Sequence, residues 1–89
     1  MSDLTKLPEI GPVLAAHLIA VGIPDAKTLR QVGSHEAFLR IRAQRDPGAC
    51  LHLLMALEAG TQGVRTTALT PAEKNDLKTW MHDIDDVSE

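Results

Sequence analysis

The side chains able to ligate a metal ion, or to serve as nucleophile and base, are few: His17, His35, His52, His82 and the single cysteine, Cys50. Cys50 and His52 stand two positions apart, which on a helix turns them about 200° from each other, so they do not share one metal ion. The other three histidines have no partner at ligand spacing. On a helix, Cys50 is expected toward Leu54 and Leu57, where a thiol behaves as a small hydrophobe. No glycine-rich phosphate loop and no Gly-x-Ser-x-Gly elbow occurs. The expectation is a binding protein and not an enzyme, with no catalytic residue, no metal, no cofactor and no small-molecule substrate.

The most organised spacing lies in Leu7 to Gly22, LPEIGPVLAAHLIAVG. Pro8 and Gly11 punctuate a turn. Pro12 suits a first helical position, where its missing N–H would be unpaired anyway, and Gly22 can close the helix. Leu14, Leu18 and Val21 share one face, flanked by Ala15 and Ile19. Ala16 and Ala20 make a small-residue face predicted to let a second helix approach closely. Val13 to Val21 carries one polar side chain, His17, so the helix is expected inside.

The turn Leu7-Pro8-Glu9-Ile10-Gly11 has the form apolar-Pro-x-apolar-Gly and resembles the helix-hairpin-helix motif. In nucleic-acid-binding hairpins of that kind, backbone N–H groups and the start of the second helix hold a phosphate through the helix dipole and its unpaired donors. That reading nominates Glu9, Ile10, Gly11, Pro12 and Val13 as the phosphate-binding residues, with Lys6, Arg30, Arg40, Arg42 and Arg45 supplying charge. Against it stand Glu9, where such hairpins commonly have glycine, the Pro-Val-Leu run after Gly11, and the near absence of aromatic stacking groups. A protein partner or a second copy of the chain, giving a homodimer, is therefore the first reading. Nucleic acid, held weakly, is the alternative.

A small helical body must position these residues. An 89-residue chain supports one domain with one modest core. Its hydrophobic share of 44% includes one Phe, one Trp and no Tyr, so the core is built of Leu, Ile, Val and Ala, which favour helices. The lone cysteine excludes an internal disulfide framework, and no secretory leader or membrane-length apolar run is present, so a cytoplasmic location is expected. The net charge of −3 is uneven. Asp83, Asp85, Asp86 and Glu89 crowd the end, and without them eight acids face nine Lys and Arg, leaving a nearly neutral body and an acidic tail over 83–89 expected to fray.

Along the chain, Ser2 or Asp3 can cap a first short helix that Pro8 must end. Asp25 can cap a helix closed by Gly33, and Ser34 can cap the next, SHEAFLRIRAQR, with Glu36 in its first turn and basic residues in its last. Asp46 and Pro47 look like a cap and a first-position proline for a central helix with Leu51, Leu54 and Leu57 on one face. Thr70 and Glu73 form a capping-box pattern, followed by Leu77, Trp80, Met81 and Ile84 at helical spacing. No segment alternates with period two for long enough to suggest a strand.

Three ordered runs narrow this further: LPEIGPVLAAHLIAVGI, LRQVGSHEAFLRIRA and CLHLLMALEAGTQGVR, followed by a capped terminal helix. From Leu4 to His82 the chain resembles the TfoX C-terminal domain family, here as a freestanding domain. Met55 departs from the family where an aromatic is usual, and Thr66-Thr67-Ala68-Leu69 replaces a stretch that often holds Trp, His and Asp. The resemblance implies an all-α bundle of five to six short helices, helix-hairpin-helix or SAM-like, and a part in regulating natural competence.

One charged residue falls on an inward face. Glu58 lies about 40° from Leu54 on the wheel, and an unpaired charge there is costly. Arg42, Arg45 or Arg65 is the expected ion-pair partner. Leu39, Leu53 and Met55 lie away from the main apolar stripes and mark where a second copy would pack.

Overall fold

Leu4 enters the core from the first turn of the chain and is fully buried there. The computed structural model describes residues 3–87. Asp3–Lys6 form one turn of 3-10 helix, and Pro8 keeps it from extending. Five α-helices follow: α1 (Pro12–Ala20), α2 (Ala26–Val32), α3 (Ser34–Gln44), α4 (Leu51–Gln62) and, after a second 3-10 turn at Thr66–Ala68, α5 (Pro71–Val87). The all-α expectation holds, with no strand among the described residues.

α4 is central, as its apolar face predicts: it packs on α2, α3, α5 and the second 3-10 turn. Phe38, Leu18, Ile23, Leu29, Ile41, Leu54 and Leu57 are fully buried between these helices. Burial of each such side chain contributes about 1.5–3 kcal/mol relative to exposure. Trp80 of α5 closes one side, meeting Phe38 edge-on at 5.9 Å and His35 at 4.6 Å between ring centroids. Leu77 is buried, and Met81 and Ile84 pack on the same core, so the terminal stripe is used as its spacing predicts.

Two helix starts match their sequence signals. The Asp25 carboxylate accepts the Thr28 amide at 2.7 Å, and Asp3 reaches across to accept the Ala26 amide at 2.8 Å. Asp3 therefore caps α2 and not a first helix, and a seven-residue helix gains two carboxylates at its positive end. Thr70 and Glu73 exchange hydrogen bonds of 3.1 and 2.9 Å as a complete capping box.

Two others differ. Ser34 is not a cap: α3 begins on it after Gly33, whose φ of +89° turns the chain between helices separated by that one residue. Asp46 and Pro47 do not open α4. The Asp46 side chain accepts the Gly48 amide at 3.1 Å and its carbonyl accepts the Ala49 amide, so the segment closes on itself as a turn. α4 starts at Leu51 with Cys50 as an exposed N-cap, which takes the thiol out of the apolar face expected for it. At the other end α5 runs through residues 83–87, where composition alone suggests fraying; residues 88 and 89 lie outside the described residues.

Candidate interaction surface

The hairpin is built from short backbone bonds: the Leu7 amide donates to the Leu4 carbonyl at 3.0 Å and the Ile10 amide to the Leu7 carbonyl at 3.1 Å. It drives Ile10 into the core, 2% exposed, against α4. A Cβ on Gly60 would stand 3.0 Å from Ile10 Cδ1, so the hairpin packs on α4 closely enough that a side chain there would press on Ile10. The Glu9 carboxylate accepts the Thr66 amide at 3.2 Å, tying the hairpin to the second 3-10 turn. Of the five nominated phosphate-binding residues, then, Ile10 is core, Glu9 is a tether, and Gly11, Pro12 and Val13 are exposed.

The basic residues do not converge on that hairpin. Lys6 is exposed at the end of the first turn. Arg40 donates to Glu36 at 2.9 Å and to the Val21 carbonyl, past the end of α1, at 3.3 Å. Arg42 lines an open groove of about 370 Å³ with Leu39, Ala43, Pro47 and Ile84. Arg45 is exposed and donates through Nε to His17 Nδ1 at 3.4 Å. Arg40 and Arg45 thus reach α1 about 7 Å or more along its axis from Pro12, at 1.5 Å per residue.

α1 itself is the unexpected element. Leu14, Ala15 and Leu18 face the core, but Ala16 and Ala20, predicted to receive a second helix, are exposed. So are Pro12, Val13 (73%) and Ile19 (49%). At 100° per residue these five fall in a sector of about 120°, as wide as the apolar stripe by which a surface helix normally meets its core. α1 therefore carries two such stripes, and among the described residues one of them is uncovered. The signal was present in the sequence: an all-apolar helix reads as buried, yet a chain this short has too few neighbours to surround it.

Glu58 has partners other than the expected arginine. Its carboxylate accepts from the Ser34 hydroxyl at 2.6 Å and from the Gln62 amide at 2.8 Å, and the same Gln62 nitrogen donates to Glu73 at 2.7 Å. Arg40 instead pairs with Glu36, at 2.9 Å. Ser34 begins α3 opposite Glu58, and Arg42 and Arg45 follow it by two to three turns, about 12–16 Å along the helix, which is why neither is the partner. An open pocket of about 170 Å³ beside this network is lined by His35, Glu58, Glu73, Asp76 and Leu77. Among the described residues no group of three or more His, Cys, Asp or Glu is placed to hold a metal ion, and no helix is long and apolar enough to cross a membrane.

The domain as a whole has counterparts in known proteins. The family model described as the TfoX C-terminal domain matches residues 1–81. The chain belongs to the TfoX C-terminal domain family. Protein Sxy of Escherichia coli (strain K12) is 34% identical over 77 residues, covering 86% of this chain but 36% of its own length, so this TfoX-type domain corresponds to about a third of that relative. Two crystal structures of Listeria monocytogenes proteins show the same fold at 43% identity. One, titled an uncharacterized protein (triclinic form), has a TM-score of 0.88 and covers 92% of both chains. The other, titled a protein of unknown function (tetragonal form), has a TM-score of 0.85 and covers 91% of this chain and 98% of its own.

Proposed function

We propose that this TfoX C-terminal domain is a non-enzymatic regulatory module of the cytoplasm that works by holding another protein on the outer face of α1. The observation that carries the reading is the uncovered apolar sector of Pro12, Val13, Ala16, Ile19 and Ala20 on a helix without a single charged residue. Monomeric soluble proteins seldom leave such a continuous apolar face to water, and where they do it is most often a contact surface. Kinship with the TfoX family supports a regulatory role, and competence for DNA uptake is the process proposed for it. The alternative, a hairpin gripping phosphates, has in its favour that the first turn of α1 has no side-chain cap. It has against it the diversion of Glu9 and Ile10 and the scattering of the arginines.

The test is retention of proteins from nuclease-treated lysate by the immobilised chain, compared with Val13→Glu and Ala16→Glu variants of unchanged helicity. Proteins held by the parent and lost from both variants are expected. Equal retention by all three, or loss of every bound protein on nuclease treatment alone, would overturn the reading.

A further inference from the structure

The border of the uncovered sector on α1 has a charge, and that charge selects a partner. We infer that the outer face of α1 docks an amphipathic helix of another protein that carries acidic residues along one edge of its apolar stripe. The inference rests on the protein-binding reading of the same face and adds the chemistry of what binds there.

Shape comes first. Ala16 and Ala20 lie in the middle of the exposed sector, with Ile19 and Pro12 toward one border and Val13 toward the other. Small residues flanked by larger ones form a shallow groove along a convex helix, and the complement of that surface is the ridge of a second helix at about 8–10 Å between axes. A flat or extended ligand would leave the alanines uncovered.

Electrostatics then narrows the class. His17 lies about 40° beyond Val13 on the wheel, and it marks the border facing α3 because Arg45 bonds to it at 3.4 Å. Arg45 is exposed and joins no ion pair among the described residues. Arg40 sits beyond the C-terminal end of α1, on the Val21 carbonyl. Arg40 is offset by its ion pair with Glu36, so the positive charge this border offers is that of Arg45, beside the His17 turn of α1, whose own residues, PVLAAHLIA, include no acid. A second copy presenting its α1 would bring no acid to Arg45. A partner helix with Asp or Glu on the edge that meets this border would, with the rim effect that steers association and fixes orientation.

The probe is a phage-displayed library of helical peptides about 18 residues long, enough for a marginal helix in isolation, selected on the full chain. Winners are expected to carry apolar residues at i, i+3 or i+4, and i+7 with Asp or Glu along one edge. A synthesised winner should lose at least about tenfold in affinity against Ala16→Glu and Val13→Glu, and on the order of fivefold against Arg45→Glu or on raising salt. Winners that fail on Ala16→Glu yet show no acidic edge and ignore Arg45→Glu would overturn the partner chemistry and leave the face itself as a protein-binding surface. No winners, or winners that bind Ala16→Glu as well as the parent, would overturn both. So would a dimer of the free chain at about 100 µM that Ala16→Glu dissociates, or binding to phosphatidylglycerol vesicles through the same residues, since the face would then belong to a second copy or to a membrane.

Discussion

The hydroxyl of Ser34 lies 2.6 Å from a carboxylate oxygen of Glu58, joining the first residue of α3 to the middle of α4. Ser34 is the buried polar residue among those described, 3% exposed, and Glu58 is half-buried. A buried hydroxyl donating to a charged acceptor contributes more than a neutral pair, because losing one partner leaves the other desolvated and unmatched. Ser34→Ala is expected to cost about 1–2 kcal/mol, a Tm decrease of roughly 4–16 °C in a chain this size. Glu58→Gln should cost less than about 1 kcal/mol, since its carbonyl still accepts from Ser34. A buried arginine pair would make that second substitution cost about 3–5 kcal/mol, so thermal melts of the two variants decide between the partners.

Ile10 and Gly60 form a second coupled pair. A methyl group on Gly60 would meet Ile10 Cδ1 at 3.0 Å and Cγ1 at 3.1 Å, and Ile10 is 2% exposed, with little room to move. Gly60→Ala should gain about 1 kcal/mol of helix propensity and lose about 1–3 kcal/mol to overpacking, so that the net ranges from about neutral to about 2 kcal/mol destabilising and no net gain is expected. Ile10→Val removes Cδ1 and alone should cost about 0.5–1.5 kcal/mol. Combined, the two should be more stable than the sum of the singles by at least about 0.5 kcal/mol in denaturant unfolding, and strict additivity would show that the contact carries no strain.

These pairs mark where the sequence was readable and where it was not. Elements whose signals are local appear as read: the Thr70–Glu73 capping box, the Asp25 cap, the terminal stripe through Leu77 and Trp80. Ser34 and Asp46 have the same local signature as those caps but spend their side chains elsewhere, Ser34 on a carboxylate 24 positions away and Asp46 on Gly48 two positions away. The first choice depends on the tertiary neighbour and the second on competition between a turn and a helix start, neither of which helical periodicity encodes. The candidate surface was half legible. Its apolar residues and their helix were evident, but the direction in which Ala16 and Ala20 face depends on how few helices surround α1.

Acid sensitivity should trace to the caps. Hydrogen bonds from the Thr28 side chain and amide hold the Asp25 carboxyl below its ordinary value, and the Thr70 amide, with Gln62 and the Thr70 hydroxyl, does the same for Glu73. A carboxyl whose pKa is lower folded than unfolded binds more protons when unfolded. Its contribution is therefore fully present above the ordinary values of 3.8 and 4.5 and is lost as pH falls through them toward the lowered folded values. Unfolding followed from pH 6 to pH 3, a range set by those carboxyl values, should show falling stability, with a shallower slope in Asp25→Asn and Glu73→Gln. Parallel profiles for parent and variants would place the sensitivity in other groups.

The remaining prediction concerns duplex DNA. Useful affinity requires several Lys or Arg contacts that release counterions from adjacent phosphates, whatever donors the backbone supplies. The uncapped start of α1 offers donors, but the stretch from Leu7 to Val21 has no Lys or Arg, and Glu9 adds a negative charge beside it. Arg40 is engaged with Glu36 and Val21, Arg42 faces the groove with Ile84, and Arg45 lies against His17, so a phosphate at Gly11 would meet none of these three. Binding is expected to be weak, with Kd of roughly 10⁻⁴–10⁻⁶ M, without sequence preference, and to fade as salt rises. A fluorescence anisotropy titration at two salt concentrations checks it. Submicromolar, sequence-dependent binding at physiological salt, abolished by Arg40→Ala, Arg42→Ala and Arg45→Ala together, would make the hairpin a nucleic-acid site. The outer face of α1 would then have to be explained as the surface that brings a second DNA-bound protein alongside.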